Sequence, residues 1–371
     1  MDEQKYQVIN PDEAAYKLTA ADLKKEKKER KKKNKALKIL IALLLVFAII
    51  FGGIAVFINF YLSKMNYGDV QGKVDPNLDA AETLDFDNKS NADDDIRKNL
   101  DDNVIWYDDR ILNILLIGYD PGYEEKVMFE GATLPRSDSM ILLSINTINN
   151  VVNMVSLSRA AYVAIPNHGN KRLNTAHAYG GAAVLVDTIE QNYKIRIDRY
   201  ISVDFSGFKD IIDILGGVDI EMSSAEAKAI LGKSSGTYHL NGEKTLAYSR
   251  LRSIDSDRMR TGRQRKVLNE IANKLRHASP STLLELVDEM LPLVTTNFGK
   301  TELIQQAAKA PKYITMPVHE DIIPYKALPL TMRDGKEVLI INWAETNKHT
   351  HDLLYPGIKP QSFTDMEKNK K

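Results

Sequence analysis

The chain has 371 residues, no cysteine, and 50 Lys+Arg against 50 Asp+Glu, a formal net charge of zero. Without cysteine there are no disulfide staples, thiolate metal sites or thiol nucleophiles, so a domain of about 300 residues must be held by its own core. The zero net charge averages over very uneven segments, and the layout says more than the sum.

Residues 1–38 hold 12 Lys/Arg against 7 Asp/Glu, and ten of the basic residues fall between Lys24 and Lys38. The 25 positions from Ile39 to Ser63 contain no charge and are bounded by Lys38 and Lys64. About 20 apolar residues cross a bilayer core as a helix, and at roughly 1.5 Å per residue this run covers about 37 Å, so residues 39–63 are expected to span with some tilt. A long polar segment precedes the run and no small-residue cleavage site follows it, which favours a signal-anchor over a cleaved signal peptide. Residues 63–110 carry 13 acidic against 6 basic side chains. Basic residues collect on the cytoplasmic flank of membrane helices, so the tail 1–38 is expected inside and the rest of the chain outside, in the cell membrane. The KKEKKERKKK run abuts the apolar segment, which suits anionic membrane lipid and not nucleic acid.

Residues 64–109 are polar and acidic and read as a linker with room for a short helix. Flexible, such a stretch would reach about 35–40 Å. The folded domain is expected over 110–371. ILNILLIG (111–118), MILLSINT (140–147) and VVNMVSLS (151–158) are runs of buried-strand length, the last two joined by a tight turn at Ile148-Asn149-Asn150. Helical spacing follows in 180–193 and 205–217, the second ending in glycines. YISV (200–203) and GVDIEM (217–222) read as strands; the stretch after Asn241-Gly242, and residues 260–277 and 281–296, read as helices. Alternating strands and helices predict an α/β fold, an α-β-α sandwich whose mixed central sheet has helices on both faces. The segment after Gln305 reads as a closing subdomain of strands and helices.

The Walker loop, HExxH and CxxC are all missing, and His168, His177 and His239 are isolated. The unusual feature is arginine set beside aspartate. Residues 248–265, YSRLRSIDSDRMRTGRQR, contain six arginines, two aspartates and no lysine. Arginine offers a planar donor fork suited to bidentate phosphate contacts. Asp257 and Arg260, three apart, would share a helix face. Composition alone favours a solvated, salt-bridged helix start over a phosphate site. Asp120 follows one buried strand, Asp138 precedes another and Ser158-Arg159 ends a third, so these clusters would meet at one rim. Strand-end carboxylates suit magnesium, which binds through few carboxylates plus water and phosphate.

With these blocks in order, the chain resembles the LytR–CpsA–Psr family of membrane-anchored cell-wall enzymes. The resemblance runs from Ile111 to Leu268 through LLIGYD (115–120), RSDSM (136–140), VSLSRAAYVAIP (155–166), KRLNTAHAYGG (171–181), YISVDFSGFKDIIDILGGVDIEM (200–222) and LNGEKTLAYSRLRSIDSDRMRTGRQRKVL (240–268). It implies a phosphotransferase that moves a glycopolymer (wall teichoic acid, capsule or a related polysaccharide) from a polyprenyl-pyrophosphate carrier to a peptidoglycan sugar hydroxyl. By motif position, Asp120 and Asp138 would hold Mg2+. Arg136, Arg159, Arg250, Arg252 and Arg260 would neutralise the pyrophosphate, with Arg263 and Gln264 at the same rim. Asp257 would be the base, and apolar side chains of the helical half would line a prenyl groove. The family's third block has an acid after its arginine where this chain has Ala160; by motif alone, Ala160→Asp would raise transfer. Two other readings stand beside the transferase: a membrane-bound regulator, and a polyprenyl-pyrophosphate binder without turnover.

Overall fold

The apolar runs assemble into one seven-stranded sheet in a computed structural model that describes residues 66–67, 89–121, 134–277, 286, 289–331 and 337–364. The chain divides into Met1–Ser63 and Lys64–Lys371, and all described residues belong to the second unit. The basic tail 1–38 and the apolar run 39–63 lie outside the described residues. Among the described residues, no helix is long and apolar enough to cross a membrane.

In chain order the first elements are β1 (Asn66–Tyr67), α1 (Lys89–Asp101) and β2 (Val104–Ile105). The predicted strands then appear as β3 (Ile111–Tyr119), β4 (Ser137–Asn146) and β5 (Val151–Leu157), with Asn150 at φ 51° closing the β4–β5 turn. Asparagine tolerates that left-handed conformation better than most residues. The hairpin β6 (Tyr162–Ile165) and β7 (Gly169–Arg172) leads into α2 (Thr175–Tyr193), followed by β8 (Arg199–Asp204) and α3 (Phe205–Ile214). Next come β9 (Val218–Met222), α4 (Ser224–Leu231), β10 (Gly236–Leu240), α5 (Gly242–Arg250) and α6 (Asp257–His277). The remainder is β11 (Thr295–Thr296), α7 (Lys300–Ile314), β12 (Val318–Ile323), β13 (Leu328–Thr331), β14 (Glu337–Ile340), α8 (Trp343–Leu354) and β15 (Gln361–Ser362).

The sheet order is β1-β11-β8-β3-β4-β5-β12. Pairs β1/β11, β8/β3 and β5/β12 are parallel, and the other three are antiparallel, so the sheet is mixed. Strand side chains alternate faces. Burial follows that alternation: Ile111, Leu115 and Ile117 of β3 join Leu142, Val155 and Leu157 on one face, packed with Ile96 of α1, Leu185 of α2 and Leu354 of α8. Ser139 and Ser156 have the opposite parity, and they bond Gln264 and Arg265 of α6. Helices therefore cover both faces, as the sequence predicts. A smaller core built on Ile212, Ile220, Leu240, Tyr248 and Val267 joins α3, the β9–β10 hairpin, α5 and α6.

The structure revises several boundaries. The folded part includes α1, inside the stretch 64–109 read as linker: Ala92 and Ile96 are buried, and Asp93 accepts hydrogen bonds from the Tyr162 hydroxyl and the Asn170 amide, both at 2.8 Å. Only three apolar residues in a highly charged helix, Ala92, Ile96 and the exposed Leu100, mark this element in sequence. The helix expected over 281–296 is helical at its described residues 286, 289 and 290, then passes into a 3-10 turn at Leu291–Leu293 followed by β11. Helix α2 starts five residues before 180 and breaks at Gly180-Gly181, where Gly181 has φ 65°. The segment after Gln305 belongs to the main core through β12 and α8, with Ile323, Val338, Trp343 and Tyr355 all buried.

Trp106 stacks on His351 of α8 with ring centroids 3.5 Å apart, and His351 Nε2 lies 3.2 Å from the Tyr193 carbonyl. Burial pushes the His351 pKa down from 6.5 to about 4. The unfolded chain takes up this proton near pH 6.5, which the folded protein refuses until about pH 4. The stability involved is intact above the unfolded pKa and is lost as pH falls towards the folded one, a loss on the order of 3 kcal/mol. Urea unfolding is therefore expected to show a shallower fall in stability over that window for His351→Gln than for the unmodified chain; identical slopes would refute the assignment.

Candidate functional site

Because β3 and β8 run parallel and β4 is antiparallel to both β3 and β5, the ends of β3, β5 and β8 and the start of β4 share one edge of the sheet. The predicted clusters meet on that edge. Pairing of β3 with β4 passes from Gly118↔Ser139 to Tyr119↔Ser137, which leaves Asp138 as the extra residue of a bulge. A bulge re-aims a side chain and recurs beside functional sites. Asp138 Oδ1 accepts from Arg159 at 3.3 Å and from Arg252 at 3.4 Å.

Arg250, the last residue of α5, pairs with Asp120 at 3.1 Å and lies 4.4 Å from the centre of the Phe205 ring. The start of α5 sets this reach. Asn241 caps it by accepting from the Lys244 amide, and a Cβ on Gly242 would stand 2.2 Å from the Lys209 carbonyl oxygen of α3. Any larger residue would push α5, and Arg250 with it, off its seat. Asp257 opens α6, where a carboxylate suits the helix dipole, and pairs with Arg260 at 2.8 Å and Arg159 at 3.4 Å. The i,i+3 pair expected from sequence is formed.

Arginines 159, 250, 252 and 260 thus surround aspartates 120, 138 and 257, leaving one formal positive charge in excess. The Arg260 side chain is only 2% exposed. Burial, with Arg159 and Arg252 nearby, pulls its pKa down to about 10, and its Nε has no hydrogen-bond partner among the described residues. Burial and Arg159 also lower the pKa of Arg252. Crowded cations of this kind are relieved by a multivalent anion, to which charge-assisted hydrogen bonds are strongest.

Arg136 stands one residue before β4 at this edge. Behind it, the buried His177 ring holds the Pro135 carbonyl at 2.6 Å through Nδ1, so this isolated histidine positions the approach to Arg136. Gln264 accepts from the Ser139 hydroxyl at 3.1 Å, next to the bulge. Arg263 faces elsewhere. It forms a two-pronged pair with Asp255 at 2.7 and 2.9 Å, approaches Glu226 at 3.5 Å and donates to the Leu251 carbonyl. Burial opposes its charge, but Asp255 and Glu226 more than offset this and raise its pKa. Arg263 therefore clamps the 251–256 loop between Arg250 and Asp257. Sequence reading misses this role of Asp255 and Glu226; the capping box of Glu226 with Ser223 signals a helix start but not this contact.

Ala160 is buried, and its carbonyl accepts from the Leu339 amide at 2.8 Å. Arg159 is oriented by Asp138 and Asp257 without an acid at position 160. For magnesium, no group of three or more His, Cys, Asp or Glu side chains gathers among the described residues. Asp120 and Asp138, on adjacent strand ends and both partly exposed, match a cation that takes one or two carboxylates and completes its shell with water and substrate phosphate. The donor set fits magnesium on that chemistry.

An α/β domain with a cationic, partly buried rim at its strand ends is a protein equipped to hold a phosphate-type anion. This chain belongs to the LytR_cpsA_psr family, whose model matches residues 77–353. It is 35% identical over 177 residues to the polyisoprenyl-teichoic acid--peptidoglycan teichoic acid transferase TagT of Bacillus subtilis (strain 168), covering 45% of this chain and 53% of that protein. It is likewise 35% identical over 166 residues to the transferase of the same description, TagU, of Enterococcus faecalis (strain ATCC 700802 / V583), covering 44% and 53%. The matched part thus spans about half the length of these curated relatives. Among solved structures, TagT bound to LI-WTA superposes with a TM-score of 0.54 at 28% identity, over 67% of this chain and 93% of that one.

Arg263→Met is expected to cost about 2–3 kcal/mol, the cost of breaking a buried pair moderated by the partial exposure of Asp255. Arg263→Lys should recover part of that stability while leaving pyrophosphate affinity within about threefold. Urea midpoints and calorimetric titration with inorganic pyrophosphate check this; a large affinity loss without a stability loss would return Arg263 to the ligand.

Proposed function

We propose that this protein is a membrane-anchored phosphotransferase that moves a glycopolymer from a polyprenyl-pyrophosphate carrier to a sugar hydroxyl of peptidoglycan. The observation that supports this most directly is the buried, crowded Arg260, whose unpaired Nε and lowered pKa belong to a cationic cluster that a multivalent anion would relieve. Membership of the family and the activity named for its TagT and TagU relatives supply the substrate class. The apolar run 39–63 and the basic tail supply the location, with the catalytic domain on the outer face of the cell membrane.

In this reading, Arg159, Arg250, Arg252 and Arg260 bind the pyrophosphate oxygens, with Arg136 at the edge of the group. The sugar hydroxyl oxygen attacks the phosphorus that bears the polymer, and the bond from that phosphorus to the bridging oxygen breaks. Polyprenyl phosphate leaves with the bonding electrons, and the polymer is joined to the acceptor by a phosphodiester. Asp257 takes the hydroxyl proton; displacement of Arg159 onto the substrate would leave it Arg260 as its remaining partner. Asp120 and Asp138 would hold magnesium, which when bound supplies further neutralisation of the pyrophosphate. Phosphoryl transfer consists mostly of such positioning and charge stabilisation and needs no covalent nucleophile, in keeping with the absence of cysteine.

The full-length chain in detergent should transfer labelled polymer from its polyprenyl-pyrophosphate form to peptidoglycan. Arg252→Ala should lower kcat/KM about 100-fold, and Asp257→Asn should lower kcat by a similar factor with a smaller change in KM for the lipid. Lipid binding by the unmodified chain without any transfer would replace this reading with that of a binder. Because Arg159 already has two carboxylate partners, Ala160→Asp is expected to leave turnover within about twofold, against the gain the motif alone implies. A severalfold rise in the same assay would restore the motif argument.

A further inference from the structure

A second concavity, of about 1140 Å³, lies between α1 and α8. Helix α1 lines one wall with Asp95, Lys98 and Asn99, which recur at the three- and four-residue spacing of a single helix face, and Asp102 follows directly after it. Helix α8 lines the other with Asn347, Lys348, His351 and Asp352, spaced in the same way. Aromatic rings of Trp106, Trp343 and Tyr355 also contribute to the lining. One ring face of Trp106 is covered by His351, and Trp343 meets Tyr193 edge-on.

Three properties narrow what such a groove takes. First, its charges nearly cancel: Lys98, Lys194, Lys326, Lys348 and Lys359 stand against Asp95, Asp102, Glu345 and Asp352, five to four. Two of these lysines are already paired, Lys98 with Asp95 and Lys348 with Asp352. With four of these nine side chains paired and the rest of both signs interspersed, a polyanion would find no crowded cluster of cations here. Second, Asn347 donates to Asn99 Oδ1 at 2.8 Å, which fixes the amide and leaves its own buried Oδ1 without a partner among the described residues. A hydroxyl or amide N–H would satisfy it. Third, polar helix walls beside aromatic rings match a chain with donors and acceptors at its edges and C–H faces between them.

The groove also leads towards the rim. Its lining includes Ile340 and Ile341, directly after Leu339, whose amide bonds the Ala160 carbonyl next to Arg159. It also includes Lys326 and Leu328, just beyond β12, where the Ile323 carbonyl accepts from the Ser158 amide at 2.8 Å. The other end reaches Gly357 and Pro360.

We propose that the groove between α1 and α8 is a binding track for an uncharged amino-sugar glycan strand, which it delivers as acceptor to the arginine rim. The acceptor role rests on the transferase reading above; glycan binding by the groove does not. Asn347 accepts from a hydroxyl or acetamido group, and the lysine–aspartate walls bond the sugar edges.

The chain has two tryptophans and both line this groove, so its intrinsic fluorescence reports on occupancy. Full-length protein in detergent titrated with an N-acetylglucosamine hexamer should give a saturable tryptophan change. Asn347→Leu should weaken it about tenfold, the size expected for one buried hydrogen bond left unmade. The exposed-site variant Lys348→Glu should also weaken it and serves where Asn347→Leu fails to fold, and inorganic pyrophosphate should not compete. No saturable change, a change indifferent to both variants, or competition by pyrophosphate would overturn the proposal. In the transfer assay, the same variants should raise KM about tenfold for a long glycan acceptor and leave KM for a disaccharide acceptor unchanged. Hexamer binding without any transfer by the unmodified chain would fail the transferase reading and keep the groove; transfer indifferent to both variants would fail the track and keep the transferase.

Discussion

Mutual restraint between arginine and aspartate at the strand ends is the interaction on which the rest of the site depends. Cations brought this close repel one another, and the burial of Arg260 among them lowers its pKa. Asp138 and Asp257 each answer two arginines, so Arg159, Arg252 and Arg260 are held as one connected group, while Asp120 holds Arg250 beside them. An arriving pyrophosphate would take over contacts that the carboxylates now make, and little would have to move for it to do so. A preformed electrostatic environment of this kind is the main resource of phosphoryl-transfer sites.

That network stays in place because of packing well outside it. Gly242 lets α5 press against α3, which sets where Arg250 ends up. Arg263 ties the loop carrying Arg252 to α6 and α4 through Asp255 and Glu226. Gln264 and Arg265 fasten α6 to the sheet through Ser139 and Ser156. Consecutive residues 263, 264 and 265 thus anchor one helix to three places, and Asp257 and Arg260 lie two turns or less away on the same helix. The arginine-rich run divides into residues that face the rim and residues that hold it in position.

The opposite helical layer has a different character. There, α1 and α8 enclose a groove of balanced charge that reaches the sheet edge beside Ala160 and Leu339. A rim of crowded cations and a neutral, aromatic groove are suited to chemically distinct parts of a transfer reaction, a charged donor and an uncharged acceptor.

The strands β3, β4, β5, β8 and β9, the helix over 260–277, and the convergence of Asp120, Asp138 and Arg159 were legible because each depends on local periodicity and strand-end position. Asp257 and Arg260 were legible for the same reason, as a helix spacing of three. The contribution of α1 was not, since Ala92 and Ile96 are its only buried residues and its acidic surface looks like linker. Nor was the division of labour between Arg260 and Arg263, two buried arginines three residues apart with opposite pKa shifts. By itself the sequence determined which elements form and that arginine and aspartate would crowd one edge of the sheet. Only the tertiary structure decided which arginine is crowded among other cations and which is neutralised by Asp255 and Glu226, because burial and distant charged partners are properties of packing and leave no local pattern in the chain.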